Sequence, residues 1–422
     1  MLDIKYIRSN TEEVKKALQR RSKRFADEIT SILSVDEKRK KLSQELEVIN
    51  AQKNSFSKEI LKLADAEKKK AIAKFAKLKS QEESLTADLR TCEVTLQDSL
   101  RKIPNLPAAE TPNGATDKDN KEIRVVGEQT KFSFTPLDYV TLAERHGLID
   151  TERAAKISGS RFGFLTGRGA ILWNALVQFT LQEILKAGFT PFYSPVLVKK
   201  EVMVDSGYDS YVEGGEAYLL EQDGLYLVGT GEHALLPYHR DEILQETDLP
   251  RKYTTYSSCF RREAGSYGKD TKGILRVHQF DKQELVVLTT PHNAVKVFDE
   301  LVALQESIIS QLELSYHLLA VCTGDLPRPS SRVTDLECWI PSEKKYRETH
   351  SASNCTDYQA RLNNIRYKTK EGKTQFVHIL NATAMTPRTL IAILEQHQRA
   401  DGSIAIPKVL HPFTFGLTSI TS

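Results

Sequence analysis

Disulfides, structural zinc and membrane spans are what this chain is least equipped to form. Its five cysteines, Cys92, Cys259, Cys322, Cys338 and Cys355, include no CxxC pair and no Cys/His spacing of the metal-binding kind, so they read as reduced thiols of a cytoplasmic protein. No apolar run approaches membrane length, and the early acidic residues of MLDIKYIRSNTEEVKKAL argue against a secretory signal or transit peptide. Neither GxxxxGKS nor GxGxxG occurs, which sets aside P-loop and Rossmann sites; a nucleotide would need another scaffold. Net charge is small as well. The 59 Lys and Arg against 56 Asp and Glu leave +3, so composition alone names no nucleic-acid partner. What is present is 422 residues, 40% hydrophobic and 27% charged, with a mean hydropathy of −0.40. That describes a soluble chain, too long for one ordinary domain and able to bury a large core.

The first hundred residues are organised by a repeat. After Val35, apolar residues fall at Leu42, Leu46, Ile49, Phe56, Ile60 and Leu63 in steps of four and three, with Lys53 the main polar intrusion. Phe75, Leu78, Leu85, Leu89, Cys92, Leu96 and Ile103 keep the same rhythm. Two heptad-patterned helices flanking a short break near Ala64 to Glu67 predict an antiparallel hairpin. Helices of about 30 residues at ~1.5 Å per residue would make an arm roughly 45 Å long. Lysines crowd it, including Lys68, Lys69, Lys70, Lys74 and Lys77 around the tip and second helix. Interspersed acids allow two readings: a solvated coiled-coil face, or a surface that tracks a phosphate backbone. Proline ends the second helix at Ile103-Pro104-Asn105-Leu106-Pro107, and AAETPNGATDKDNKE follows as a polar linker. The predicted organisation is a coiled-coil domain over 1–104, a linker over 105–130 and a larger body over 131–422.

In the body, helical patterns near Ala170 to Ala187 and Pro387 to His397 alternate with short strands at Thr190 to Val196, Ala217 to Leu220, Leu225 to Val228, Leu336 to Ile340 and Phe376 to Asn381. Hairpins outnumber βαβ units, so the fold class is α+β, with a mainly antiparallel sheet flanked by helices. The most informative stretch is CFRREAGSYGKDTKGILRVHQFDKQELV, Cys259 to Val286. Its flanks read as two strands, and the glycine- and lysine-rich run from Ala264 to Gly273 suits a mobile hairpin loop beside polyphosphate. Arg261 and Glu263 sit on one flank, Phe280 and Glu284 on the other, so an anion and an aromatic plane would both find partners.

This stretch resembles motif 2 of the class II aminoacyl-tRNA synthetases, in the wording of the seryl-tRNA synthetases. GFTPFYSPVLVKKEVM, with Pro195, is similar to motif 1, and NATAMTPR, ending at Arg388, to motif 3. The heptads and IPNLP extend the resemblance over nearly the whole chain. It implies a class II catalytic body, a homodimer built through motif 1, and a cytoplasmic enzyme that activates serine with ATP and Mg²⁺. The seryl group would then pass to tRNA(Ser), with tRNA(Sec) as a second acceptor where that tRNA exists, and the arm would grip the tRNA through Lys68, Lys69, Lys70, Lys74 and Lys77.

The resemblance also implies roles residue by residue. Arg261 would neutralise the α-phosphate, with Arg262 beside it; Glu263 would face the adenine amino group, Phe280 would stack on the adenine, and Arg388 would close from the γ-phosphate side. In YRETHSASNC, Glu348, Thr349, His350 and Ser351 would meet ATP, with Glu348 and Ser351 as Mg²⁺ ligands and Glu337 as an occasional helper. Serine would be read by Thr230, Gly231 and Glu232 in GTGEH, by Glu284 and by Thr383; a buried acid pair there rejects alanine by leaving polar groups unpaired. Each residue alone has a plainer reading, as a surface ion pair, a core aromatic or a capped loop. Three departures stand out: His350 where the family has a small serine, Gly231 where Ala or Ser is common, and a motif 3 loop one residue short. A carrier-protein ligase on the same body would lack the arm. A catalytically impaired paralogue that binds tRNA or serves as a scaffold would lack the retained Arg261, Glu263, Glu284, Glu348 and Arg388.

Overall fold

In a computed structural model of the chain, residues 1–60, 65–264 and 272–421 are described, the side chains of 59, 60 and 65–70 excepted. The chain divides into two compact units, Met1–Leu106 and Pro107–Ser422.

The first unit is built on two long helices, Lys23–Ile60 (α1) and Asp65–Lys102 (α2), preceded by the short helices Ile4–Ser9 and Thr11–Gln19. Half-buried positions at Leu42, Leu46, Ile49, Lys53 and Phe56 on α1 face Phe75, Leu78, Leu85 and Leu89 on α2, so the heptad seam is real. Lys53, the polar intrusion, is accommodated by an ion pair with Glu82. Both helices have 38 residues and are longer than expected, about 57 Å each at ~1.5 Å per residue. The reason lies at the base. Phe25, Ala26, Ile29 and Ile32 carry the apolar stripe of α1 back to Lys23, where Ile29 and Ile32 are buried together with Ile7, Val14 and Leu18 of the short helices. Asp36 is only 1% exposed and is held between Arg8 at 3.0 Å and Arg39 at 3.1 Å, which compensates its burial. Asp65, Ala66 and Glu67, expected in the break, are helical. Leu63 and Ala64 lie outside the described residues, as do the side chains of Lys68, Lys69 and Lys70.

The second unit is organised by one eight-stranded sheet. Its strands are Lys121–Val126 (β1), Thr190–Phe192 (β2), Arg251–Phe260 (β3), Gln279–Thr289 (β4), Tyr316–Ala320 (β5), Arg332–Ile340 (β6), Lys345–Asn354 (β7) and His378–Met385 (β8). The spatial order is β1-β5-β6-β7-β8-β4-β3-β2, antiparallel throughout except for the parallel β2–β3 edge. Helices Tyr139–His146 (α3), Gly167–Lys186 (α4), Ala294–Gln311 (α5) and Pro387–Gln396 (α6) join the sheet around the main core. The α+β class expected from the sequence is thus the observed one. Two features were not expected. β7, over KYRETHSASN, was not read as a strand because its polar and small residues show no apolar alternation. β1 falls inside the segment read as a linker: Lys121, Glu122 and Arg124 look solvated, and only pairing with β5, nearly 200 residues away, makes them an edge strand.

On β4, Leu285 and Val287 pack into the main core while Val286 and Leu288 join a second cluster with Leu235, Leu244 and Ile365 on the opposite face. The sheet is therefore covered on both faces at that end, and the even positions Phe280, Lys282 and Glu284 continue along the second face toward a cleft. Beneath the cleft β7 and β8 part company: they pair only at 352–354 with 380–382. Gln305 of α5 fills the gap, its Nε2 donating to the carbonyls of Ser351 at 3.0 Å and Thr383 at 2.7 Å.

Replacing Gln305 with methionine keeps the volume but strands both carbonyls, and is expected to lower the stability of the second unit by about 2 kcal/mol. Guanidinium unfolding followed by tryptophan fluorescence measures this cleanly, because both tryptophans, Trp173 and Trp339, belong to that unit.

Candidate active site

The cleft is lined by Arg261, Glu263 and 274–277 after β3 together with Phe280 and Lys282 on β4, and, from farther along the chain, by Glu348 and Thr349 of β7, Thr383 of β8, and Thr386, Pro387 and Arg388 at the start of α6. Arg261 stands over the Phe280 ring, 5.2 Å from its centroid, and its Nε donates to the Gly229 carbonyl at 3.2 Å. No carboxylate among the described residues forms an ion pair with it. A guanidinium in the cleft wall, fixed by a ring and a carbonyl, is prepared for an anion from outside. Glu263 adopts a left-handed backbone (φ 52°), and its carboxylate is paired with Arg276 Nη1 at 2.6 Å. It does not pair with Arg261, so the plain reading of a shared ion pair falls away.

Opposite, Arg388 emerges from the first turn of α6, after the N-cap Thr386 and Pro387. Its Nη1 donates to the Glu348 carbonyl at 2.8 Å and to the carboxylate at 3.2 Å. The helix N-terminus adds its own partial positive charge to this wall. Thr383 and Arg388 line the same cleft, so the shortened motif 3 loop tightens without removing either residue from it.

Next to the cleft lies a buried acid pair. The register sets Glu284 opposite Thr383 on one side and Thr255 on the other. Its Oε2 accepts from the Thr230 hydroxyl at 2.9 Å and forms an ion pair with Lys282. Glu284 is 1% exposed and is not itself part of the cleft lining that Arg261, Phe280 and Arg388 share, although its ion-pair partner Lys282 and its register partner Thr383 are. Glu232 is also buried; its Oε1 accepts from Gln359 at 2.7 Å and Asn381 at 2.9 Å, and its Oε2 from the Tyr208 hydroxyl at 2.7 Å. Three of the four lone-pair positions of that carboxylate are thereby used by the protein. Burial, and then the field of Glu284, pushes its carboxyl up to about 7. Gly231 explains itself here: a Cβ would lie 2.5 Å from the Thr255 methyl and 3.5 Å from Glu284 Cβ, so the loop can approach the sheet only without a side chain.

Several expected residues are placed elsewhere. Arg262 turns away, its guanidinium 4.5 Å from the centroid of the Tyr218 ring and its Nε donating to Ala217. His350 points into the core. Its Nε2 must carry the proton, since it lies 3.0 Å from the Ala384 carbonyl, and burial lowers its pKa to about 4, so it is a neutral structural imidazole. Alternation along β7 explains this, because its neighbour across the strand pair is the fully buried Leu336. The Thr349 hydroxyl also faces inward, to the Leu336 carbonyl and His350 Nδ1. Ser351 is absent from the cleft lining and hydrogen-bonds the half-buried Asp335, whose carboxyl is pushed well above its ordinary range by desolvation and by Glu348. Glu337 is taken at the far edge, 2.8 Å from His317 Nε2. On the arm, Lys74 is exposed but sits over Phe56, 5.0 Å from the centroid, while Lys77 is exposed. Of the expected mobile loop, Ala264 to Gly273, residues 265–271 lie outside the described residues.

Tyr208, Arg276, Lys282, Gln359 and Asn381 were missed by sequence reasoning. The signal available was only that Arg276 and Lys282 lie on the same face-alternating run as Phe280 and Glu284. Asn381 opens the motif 3 stretch NATAMTPR without being singled out there, and Tyr208 and Gln359 come from segments with no motif.

A model of the seryl-tRNA synthetase N-terminal domain matches residues 1–107, and one of the tRNA synthetase class II core domain (G, H, P, S and T) matches 218–397. A serine-tRNA ligase of Pseudothermotoga lettingae is 41% identical over 421 residues, covering 98% of each chain. The chain belongs to the seryl-tRNA synthetase family. The seryl-tRNA synthetase of Pyrococcus horikoshii, solved in complex with ATP, superposes with a TM-score of 0.93 at 35% identity over 100% of this chain and 99% of that one. The cytoplasmic serine-tRNA ligase of Naegleria fowleri, solved with AMP, gives 0.87 at 28% identity over 99% and 97%. Among the described residues no helix is long and apolar enough to cross a membrane.

In this seryl-tRNA synthetase family member the raised carboxyl of Glu232 has a measurable consequence. The folded chain holds that proton more tightly than the unfolded one, so its contribution to stability is complete below about pH 4.5 and is lost as pH rises through 7. Glu232→Gln cannot titrate there. Its stability relative to the parent is expected to improve by up to ~3 kcal/mol between those pH values, read from unfolding curves at each pH.

Proposed function

We propose that this chain is a serine-tRNA ligase that activates serine with ATP and esterifies the 3′-terminal adenosine of tRNA(Ser), with tRNA(Sec) as a second acceptor where it exists. The observation that carries the reading is the gathering of Arg261, Phe280 and Arg388 on one cleft beside the acid pair Glu232 and Glu284. The ATP complex of the Pyrococcus horikoshii structure supports nucleotide binding at the corresponding fold. The reading is of a cytoplasmic protein, and a homodimer fits the motif 1 segment, where Tyr193 is 96% exposed and Leu197 is also open to solvent, as is Leu185 on the helix just before it.

In the first half-reaction a serine carboxylate oxygen attacks the α-phosphorus and pyrophosphate leaves, giving seryl-adenylate. Negative charge grows on the α-phosphate oxygens; Arg261, poised beside Phe280 and Gly229, meets it by a side-chain shift alone. The Phe280 ring offers a face to the adenine once the guanidinium shifts to phosphate. Glu263, oriented by Arg276, accepts from the adenine amino group. Arg388 exchanges Glu348 for the terminal phosphate. Freed from that pairing, the Glu348 carboxylate would offer an oxygen to the cleft, and the Ser351 hydroxyl, bonded to Asp335 outside the cleft lining, would join it by exchanging that partner. Such a hard, electron-rich set fits Mg²⁺, which would neutralise phosphate charge when bound. Lys282 holds the place an ammonium would take between Glu284 and Thr230, so serine would displace it toward the phosphates. In the second half-reaction the terminal ribose hydroxyl attacks the seryl carbonyl and AMP leaves.

The deciding experiment is exchange of label between pyrophosphate and ATP across all twenty amino acids with Mg²⁺ present. Exchange with serine alone, without tRNA, is expected; none with any amino acid would sink the proposal. Arg261→Ala is expected to slow that exchange by about 10²–10³-fold in a chain that still folds. Reversing Lys74 and Lys77 to glutamate should weaken tRNA affinity about tenfold or more and flatten its salt dependence while leaving exchange intact. Filter binding at several salt concentrations checks this.

A further inference from the structure

The wall formed by Ile274, Leu275 and Arg276 hangs from a single phenol. Tyr139, in the first turn of α3 and 6% exposed, donates from its hydroxyl to the Lys272 carbonyl at 3.0 Å. The same oxygen accepts the backbone N–H of Ile274 at 2.9 Å and of Leu275 at 3.1 Å. A phenol has one donor and two acceptor positions, so every position is used, and all three partners are main-chain groups of one short segment. The backbone wraps closely around that oxygen. Gly273 sits at φ +66°, and a Cβ there would lie 2.2 Å from it. The other end of Tyr139 is equally fixed. Its N–H donates to Glu395 Oε1 at 2.9 Å, and the same carboxylate accepts from Ser342 N at 3.0 Å and Ser342 Oγ at 2.9 Å. Glu395 belongs to α6, the helix whose first turn carries Arg388.

We infer that Tyr139 is a positioning residue for ATP: its hydroxyl sets the backbone that aims Arg276 at Glu263, and through Glu395 it ties that wall to the helix bearing Arg388. This rests on the functional reading above and deepens it. Tyr139 itself is not among the residues lining the cleft, and acts through Arg276 and Glu263. Its influence should fall on the nucleotide and not on serine, whose expected contacts lie on the far side of Lys282.

The experiment is Tyr139→Phe in the full-length enzyme, which keeps the buried ring and removes only the oxygen. KM for ATP in serine-dependent pyrophosphate exchange is expected to rise about tenfold, while KM for serine changes less than twofold. A residue that merely filled the core would shift the thermal midpoint and leave the two KM values in their parental ratio, which overturns the inference. Gly273→Ala supplies an independent perturbation, pushing the same segment off the phenol with Tyr139 intact. It should raise KM for ATP similarly, and the double variant should be no worse than the weaker-binding single one, because both break one contact. Multiplying effects would show that the two residues act separately and would also overturn it. The parent enzyme run alongside keeps the two proposals apart: absence of serine-dependent exchange there refutes the function, whereas normal exchange with an unmoved ATP KM in the variants refutes only the role of Tyr139.

Discussion

Two carboxylates buried within each other's field, Glu232 and Glu284, are the constraint around which the second unit is arranged. Neither could stay in a dry interior unaided. Glu284 is compensated by Lys282 and Thr230, and Glu232 by three hydrogen-bond donors drawn from separate parts of the chain, Tyr208, Gln359 and Asn381. Those donors define the surrounding architecture. Tyr208 lies in an irregular helical stretch, Val204–Tyr208, broken at Gly207; Gln359 begins a short helix after β7; Asn381 is on β8. The shape of the pocket is thus the shape required to keep one acid hydrogen-bonded, with the cost of the other left to a lysine that can move.

The same logic runs along the cleft. Arg388 rests on Glu348 and Arg276 on Glu263, while Arg261 rests on a ring and a carbonyl. The cationic side chains are held near where a triphosphate would place its charge, by partners weak or exposed enough to be exchanged. The side chains of Arg388 and Glu348 are 31% and 49% exposed, so their attraction is screened by solvent and easily replaced by a phosphate. Preorganisation of this kind confines the reorganisation on binding to a few side chains. The sheet beneath does not need to move, and Gln305 holds together the place where its strands diverge.

Much of this was legible from residue patterns because the patterns are local. Heptads need only a few neighbouring turns to reveal a coiled coil, so the hairpin's seam, including the awkward Lys53, could be read directly, although the apolar stripe ran further back than Val35. Arg261, Glu263, Phe280 and Arg388 were legible because strand and helix termini present them in compact motifs. His350 was misplaced because a single strand position decides between cleft and core, and β7 lacks the alternation that would have shown which. Arg262 failed for a related reason, since the chain turns at the end of β3 and carries it toward Tyr218. The strand at Lys121–Val126 was read as linker because its partner lies far along the chain.

The order of residues by itself determined the long helical hairpin, the antiparallel character of the body and the identity of the charged and aromatic groups available to a nucleotide, since each depends on periodicity or on neighbours a few positions away. Only the tertiary structure decided which acid would be saturated by protein donors, which lysine would guard the other, and that a phenol from α3 would hold the cleft wall. Gln359 and Asn381 reach Glu232, and Tyr139 reaches Lys272, across more than a hundred residues, and although Lys282 and Glu284 are neighbours on β4, only the fold packed around them buries their pair.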